Sequence, residues 1–271
     1  MGSARVRWVL ALVAAVVVAA LAAPWLVRAF WEHRSSNAVR RGVRLARDFG
    51  CFSCHGELGD GGLPDPTAAS GEVPAWSGGM WMMYVDNDVQ IAEYIRDGIS
   101  ETRRGSPTAM TERSKQTIVM PAYGNLLDRT DLDDLVAGFK VLSRMSLPGA
   151  GTLERRGLDL AERWGCFSCH GPAGSGGLPN PASFTGFVPG WYGADFADLV
   201  RDRGEFDGWV RDGTIPRLAA GRVASFFLAR QRLTMPAYRS LEPSELDALW
   251  AYAQWLERTD GGYRGSGSRS W

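Results

Sequence analysis

Residues 41–66, RGVRLARDFGCFSCHGELGDGGLPDP, align without a gap on residues 156–181, RGLDLAERWGCFSCHGPAGSGGLPNP, and 17 of the 26 positions are identical. The offset of 115 residues persists at VPAW (Val73–Trp76) against VPGW (Val188–Trp191), and at IRDG (Ile95–Gly98) against VRDG (Val210–Gly213). It still holds at MPAY, Met120–Tyr123 against Met235–Tyr238. A duplication constrains a fold more than composition does, because each copy must be a self-contained unit. At about a hundred residues, each copy is long enough to bury its own core, around a large apolar ligand if need be.

All four cysteines lie in the two CFSCHG hexapeptides, as Cys51 and Cys54, then Cys166 and Cys169. Two cysteines separated by two residues and followed by histidine form the attachment signature of a c-type haem. One helical turn presents both thiols to the porphyrin vinyl groups and carries the next side chain, His55 or His170, to the iron. A redox dithiol, a structural disulfide or half of a zinc site are the alternatives for any CxxC pair. None of them explains a histidine after each pair, or the confinement of every cysteine to one repeated hexapeptide.

A haem iron takes a sixth ligand, and thioether sulfur is a soft donor that favours the ferrous state. Met235 is the only methionine after Met145, so a methionine ligand in the second copy must be Met235. The repeat then selects Met120 in the first copy over Met80, Met82, Met83 and Met110. Each methionine stands 65 residues after its histidine and directly before a proline, which disfavours helix there.

On these motifs each copy resembles a class I cytochrome c domain, over residues 37–145 and 152–258. The resemblance implies an all-α fold, in which a helix ending in CxxCH and a C-terminal helix cross against two covalently bound haem c groups, one per domain. The flanking patterns agree. Residues 37–50 carry an apolar stripe at Val39, Val43, Leu45, Ala46 and Phe49. A run opening at Ser244, a candidate N-cap, repeats apolar residues at Leu246, Leu249, Trp250, Ala253 and Leu256. Its counterpart begins near Thr130, with Leu132, Leu135, Val136, Phe139 and Leu142. The resemblance also implies a carbonyl near Pro64 or Pro66, and near Pro179 or Pro181, accepting a hydrogen bond from the ligating histidine. Trp76 and Trp191 are candidates to donate an indole N–H to a haem propionate, with a buried structural tryptophan as the alternative. The glycine-rich loops between lack the lysine and preceding strand of a phosphate-binding loop.

Residues 1–36 read as a transmembrane anchor with a juxtamembrane segment. Trp8 to Val27 is twenty residues without a charge, and a helix of that length spans about 30 Å. A cleaved signal peptide is the competing reading, with Ala20–Ala22 as the cleavage site. Both readings export the two repeats, and the resemblance implies a bacterial inner membrane with the haem domains on the periplasmic side. Residues 143–152 read as the interdomain linker and 259–271 as a flexible tail. Thirty basic residues balance thirty acidic ones, so nothing favours nucleic-acid binding.

An iron with both axial positions filled has no place for a small-molecule substrate, but it can exchange an electron through an exposed haem edge. The expected function is therefore a membrane-anchored dihaem relay between a protein redox donor and acceptor, and not an enzyme; the resemblance implies a subunit of a respiratory or photosynthetic electron-transfer complex, with its other subunits or a soluble cytochrome as partners. A dihaem peroxidase is the alternative; it needs one iron that opens, and the matched contexts of Met120 and Met235 mark neither site as different.

Overall fold

The computed structural model describes residues 2–34 and 36–262, and it is 59% helical with almost no strand. α1 (Gly2–Arg34) is a single uninterrupted helix. Its stretch Arg5–Trp31 is long and apolar enough to cross a membrane, and none of the most apolar part is buried against the rest of the chain. Length and composition together make it a candidate single-pass span.

The first copy begins at Asn37, whose side chain accepts from the Arg40 backbone N–H and caps α2 (Ala38–Asp48). The CxxCH turn is α3 (Cys51–His55), followed by α4 (Asp88–Asp97), α5 (Glu101–Arg104), α6 (Pro107–Lys115) and α7 (Arg129–Leu142). The second copy follows the same order with one helix added: α8 (Leu153–Arg163), α9 (Phe167–His170) and then α10 (Ala194–Leu199), which stands where the first copy has a 3-10 turn at Met80–Met83. α11 (Arg203–Asp212), α12 (Pro216–Ala219), α13 (Arg222–Leu228) and α14 (Pro243–Thr259) complete it.

In each copy the first and last helices cross, α2 on α7 and α8 on α14, and a glycine sets how closely they approach. A Cβ on Gly42 would strike the Asp134 carbonyl, and one on Gly157 would strike that of Ala248. Val39, Val43 and Ala46 bury on one side of the first crossing and Leu135, Val136 and Phe139 on the other. Leu158, Leu160 and Ala161 meet Leu246, Leu249, Tyr252 and Leu256 in the second. The apolar stripe on α2 is narrower than its periodicity predicts, since Leu45 and Phe49 are only half-buried.

Two expected boundaries shift. α14 is capped at Glu242, not at Ser244: the Glu245 carboxylate accepts from the Glu242 N–H at 2.9 Å, and Pro243 opens the helix. Asp128 and Asp131 make the equivalent box on α7. The matched caps Asp128 and Glu242 are 114 residues apart, so the second copy is one residue shorter between its MPAY segment and its last helix. The tail begins later than residue 259. The Gly261 N–H returns to the Leu256 carbonyl at 2.8 Å and the Gly262 N–H to the Thr259 hydroxyl at 3.0 Å. These bonds keep residues 259–262 on the second domain, while 263–271 lie outside the described residues.

Candidate haem-binding sites

The imidazoles are oriented first. The Nδ1 of His55 lies 2.7 Å from the Pro74 carbonyl, and that of His170 lies 2.8 Å from the Pro189 carbonyl. A carbonyl only accepts, so the proton sits on Nδ1 and Nε2 keeps its lone pair. Burial lowers both histidine pKa values against the opposing effect of that hydrogen bond, which favours the neutral ring a metal would need. The expected acceptors, Pro64 or Pro66 and Pro179 or Pro181, do not serve. Each glycine-rich loop folds back on itself, with Val73 N–H on the Leu63 carbonyl and Val188 N–H on that of Leu178. Pro64 and Pro179 are thereby bridged to Glu72 and Phe187, and the returning arm delivers Pro74 or Pro189 to the histidine. Both prolines are visible in the sequence as the repeated VP dipeptide, the one local signal that points to them.

Trp76 and Trp191 stand two residues after those prolines and are buried, with ring centroids 5.4 Å from His55 and 5.6 Å from His170. Phe52 and Phe167 pack on them in turn. The two tryptophans thus wall the histidine side of each site. The same residues lie over close glycines: a Cβ on Gly59 or Gly174 would run into the indole.

The methionine side is built from α4 and α11. The Tyr123 N–H bonds the Ile95 carbonyl at 3.1 Å and the Tyr238 N–H bonds that of Val210 at 2.9 Å, which pins each MPAY segment to a helix C-terminus. Gly98 and Gly213 end those helices with φ of +72° and +70°, the left-handed conformation that caps a helix. Any Cβ there would meet the Met120 or Met235 carbonyl. The tyrosine then returns to the CxxCH turn, with Tyr123 edge-on to Phe49 at 5.8 Å and Tyr238 edge-on to Trp164 at 5.6 Å.

In the first copy Cys51, Cys54, His55, Trp76 and Met120 all line one largely apolar cavity of about 240 Å³, many times the roughly 30 Å³ that one water occupies. Pro64 is not among its walls. In the second copy Cys166, Trp191, Met235 and Tyr238 belong to one packed cluster, to which the aromatic pair with Trp191 adds His170.

This arrangement discriminates among the chemistries of a CxxC pair. Burial pushes the Cys51 and Cys166 thiols up to about 11, so at neutral pH they are not the exposed thiolates of a redox dithiol. All four cysteines are free. Among the described residues no three His, Cys, Asp or Glu side chains come together in a group that could hold a metal ion, and each pair sits in its own core, so a shared four-thiolate zinc site has no basis. A covalently attached porphyrin fits the donor set: two thiols, an imidazole with a free Nε2 and a thioether around one apolar space. No family model, curated protein or solved structure matches the chain.

Proposed function

We propose that the chain is a membrane-anchored dihaem c-type cytochrome that relays single electrons between a protein donor and a protein acceptor. The observation that carries this reading is the convergence of Cys51, Cys54, His55 and Met120 on one apolar cavity, with Cys166, His170 and Met235 drawn into one packed cluster 115 residues on. Haem bound there supplies a one-electron couple that cycles without a change of ligands. Cys51 and Cys54, or Cys166 and Cys169, would hold it by thioethers, each thiol adding across a vinyl group. His55 and His170 are oriented by the Pro74 and Pro189 carbonyls, which also strengthen them as donors. Met120 and Met235, on segments fastened to the ends of α4 and α11, would supply the sulfur ligand. Trp76 and Trp191 keep water from the histidine face. With an imidazole and a thioether both committed to the iron, no ligand position would be left for a small-molecule substrate. α1 is the anchor in a bacterial inner membrane, and the two domains stand on its periplasmic side.

The test is intact-mass spectrometry of protein matured in a host that attaches haem c, together with its reduced spectrum. Two haem masses and a low-spin spectrum are expected. A chain without added mass sinks the proposal; a high-spin site with peroxide turnover replaces it with the peroxidase reading.

A further inference from the structure

The two copies differ most usefully at α6 and α13, which occupy the same place in the repeat. α6 exposes Thr108, Thr111 and Glu112. One repeat later, at the same positions of α13, stand Val223, Phe226 and Phe227. Val223 is 65% exposed and Phe226 49%, and Phe184, in the loop beside them, is 48% exposed. An apolar side chain left in water forgoes the free energy of its burial, so a face rebuilt from polar to apolar needs an occupant.

Its position identifies one. Phe30 and Trp31, at the end of the apolar part of α1, begin a chain of edge-to-face rings running from Trp31 to Phe184 (5.2 Å), from Phe184 to Phe227 (5.2 Å) and from Phe227 to Phe226 (5.3 Å). The exposed face of α13 is therefore continuous with the level at which α1 would leave a bilayer. Aromatic rings concentrate at that level in membrane proteins. Arginines edge the patch: Arg222 and Arg230 bracket α13, and the Arg230 guanidinium lies 3.7 Å from the Phe226 ring centroid. Apolar and aromatic residues on one side with cations at the rim is the pattern of a helix lying in the headgroup region of an anionic bilayer.

We propose that α13 and the Phe184 loop are a second membrane contact, which seats the second domain on the phospholipid surface beside α1. This rests on the reading of α1 as a membrane span. The first domain, whose α6 exposes Met110 as its one large apolar side chain among polar ones, makes no such contact.

The test is photo-crosslinking of the full chain in vesicles of phosphatidylcholine and phosphatidylglycerol, at about one chain per vesicle, with a diazirine on the acyl chain of a tracer phosphatidylcholine. Peptide mapping should place adducts in α1 and in residues 222–230, and none in 107–115. The double substitution Val223→Thr with Phe226→Thr copies the polar residues of α6. It should cut the adducts at 222–230 several-fold, with those in α1 and the circular dichroism unchanged. Adducts in α1 with none at 222–230 would overturn the second contact and leave the face to a protein partner. No adducts in α1 would instead overturn the anchor.

Discussion

Asp65 and Asn180 hold the same place in the two copies and differ by one charge. Asp65 is buried and accepts from the backbone N–H groups of Thr67 and Ile118, each at 3.0 Å. Asn180 accepts from the Leu233 N–H at 2.8 Å and donates to the Leu233 carbonyl at 2.9 Å. Both residues therefore fasten the chain two positions before the methionine of their site. Asp65 also lines the cavity of the first site, and a fixed anion there favours the more positive, oxidised state of a bound redox group. Asp65→Asn should raise the reduction potential of the first site, and Asn180→Asp should lower that of the second, in a spectroelectrochemical titration. Potentials that stay put, or that move in the same direction in both variants, would refute this electrostatic role. The Thr67 hydroxyl, with the backbone donors, holds the Asp65 pKa below its usual value. A depressed folded-state pKa gives stability that is complete above the unfolded value of about 3.9 and is lost as pH falls through the folded one. Urea midpoints of the parent should therefore fall more steeply below pH ~4 than those of Asp65→Asn. The candidate ligands were legible as single letters in repeated contexts, whereas Asp65 was not, because aspartate between two prolines reads as a turn residue.

At the scale of elements, the end of α4 governs where the methionine sits. Gly98→Ala places a side chain in the left-handed region, at about 1–2 kcal/mol, and drives its Cβ into the Met120 carbonyl. The variant should melt earlier and lose the absorption band that marks sulfur ligation at the first site. Gly105→Ala is the control, since its Cβ would meet only ordinary contacts at 3.6 Å and beyond. Retention of the band in Gly98→Ala would show that the MPAY segment is held by something other than this junction. The helices were readable because apolar periodicity and the CxxCH turn are local. The loops between them were not. The path that brings Pro74 rather than Pro64 to His55 depends on a hairpin closed by one pair of backbone bonds, and no periodicity encodes it. The cap at Glu242 was hidden by a loop one residue shorter and by serine's stronger intrinsic preference for that position.

For the molecule as a whole, the chain enters the first domain from α1 but is tied at that point to the second. Arg34 pairs with Asp198 at 3.0 Å, an exposed contact of small value. The stronger tie is Asn37, whose Oδ1 accepts both from the Arg40 N–H and, at 3.0 Å, from the buried Tyr192 hydroxyl. Its Nδ2 donates to the Ser175 carbonyl at 2.9 Å. One side chain thus caps the first helix of one domain and bridges to the other, a long-range role that no local pattern in the sequence announces. Asn37→Ser separates the two duties, because serine caps a helix equally well but is too short to hold both partners across the interface. Two hydrogen bonds at about 1 kcal/mol each are lost, and the Tyr192 hydroxyl stays buried without its acceptor. The two domains should then unfold separately in urea, with α2 intact by circular dichroism, where the parent should lose both in one transition. Tyr192→Phe removes the stranded hydroxyl along with its bond, so its effect should be the smaller. A single shared transition in Asn37→Ser would mean that the domains are coupled elsewhere, for example through Arg144 and Glu162, which pair across the linker at 3.0 Å.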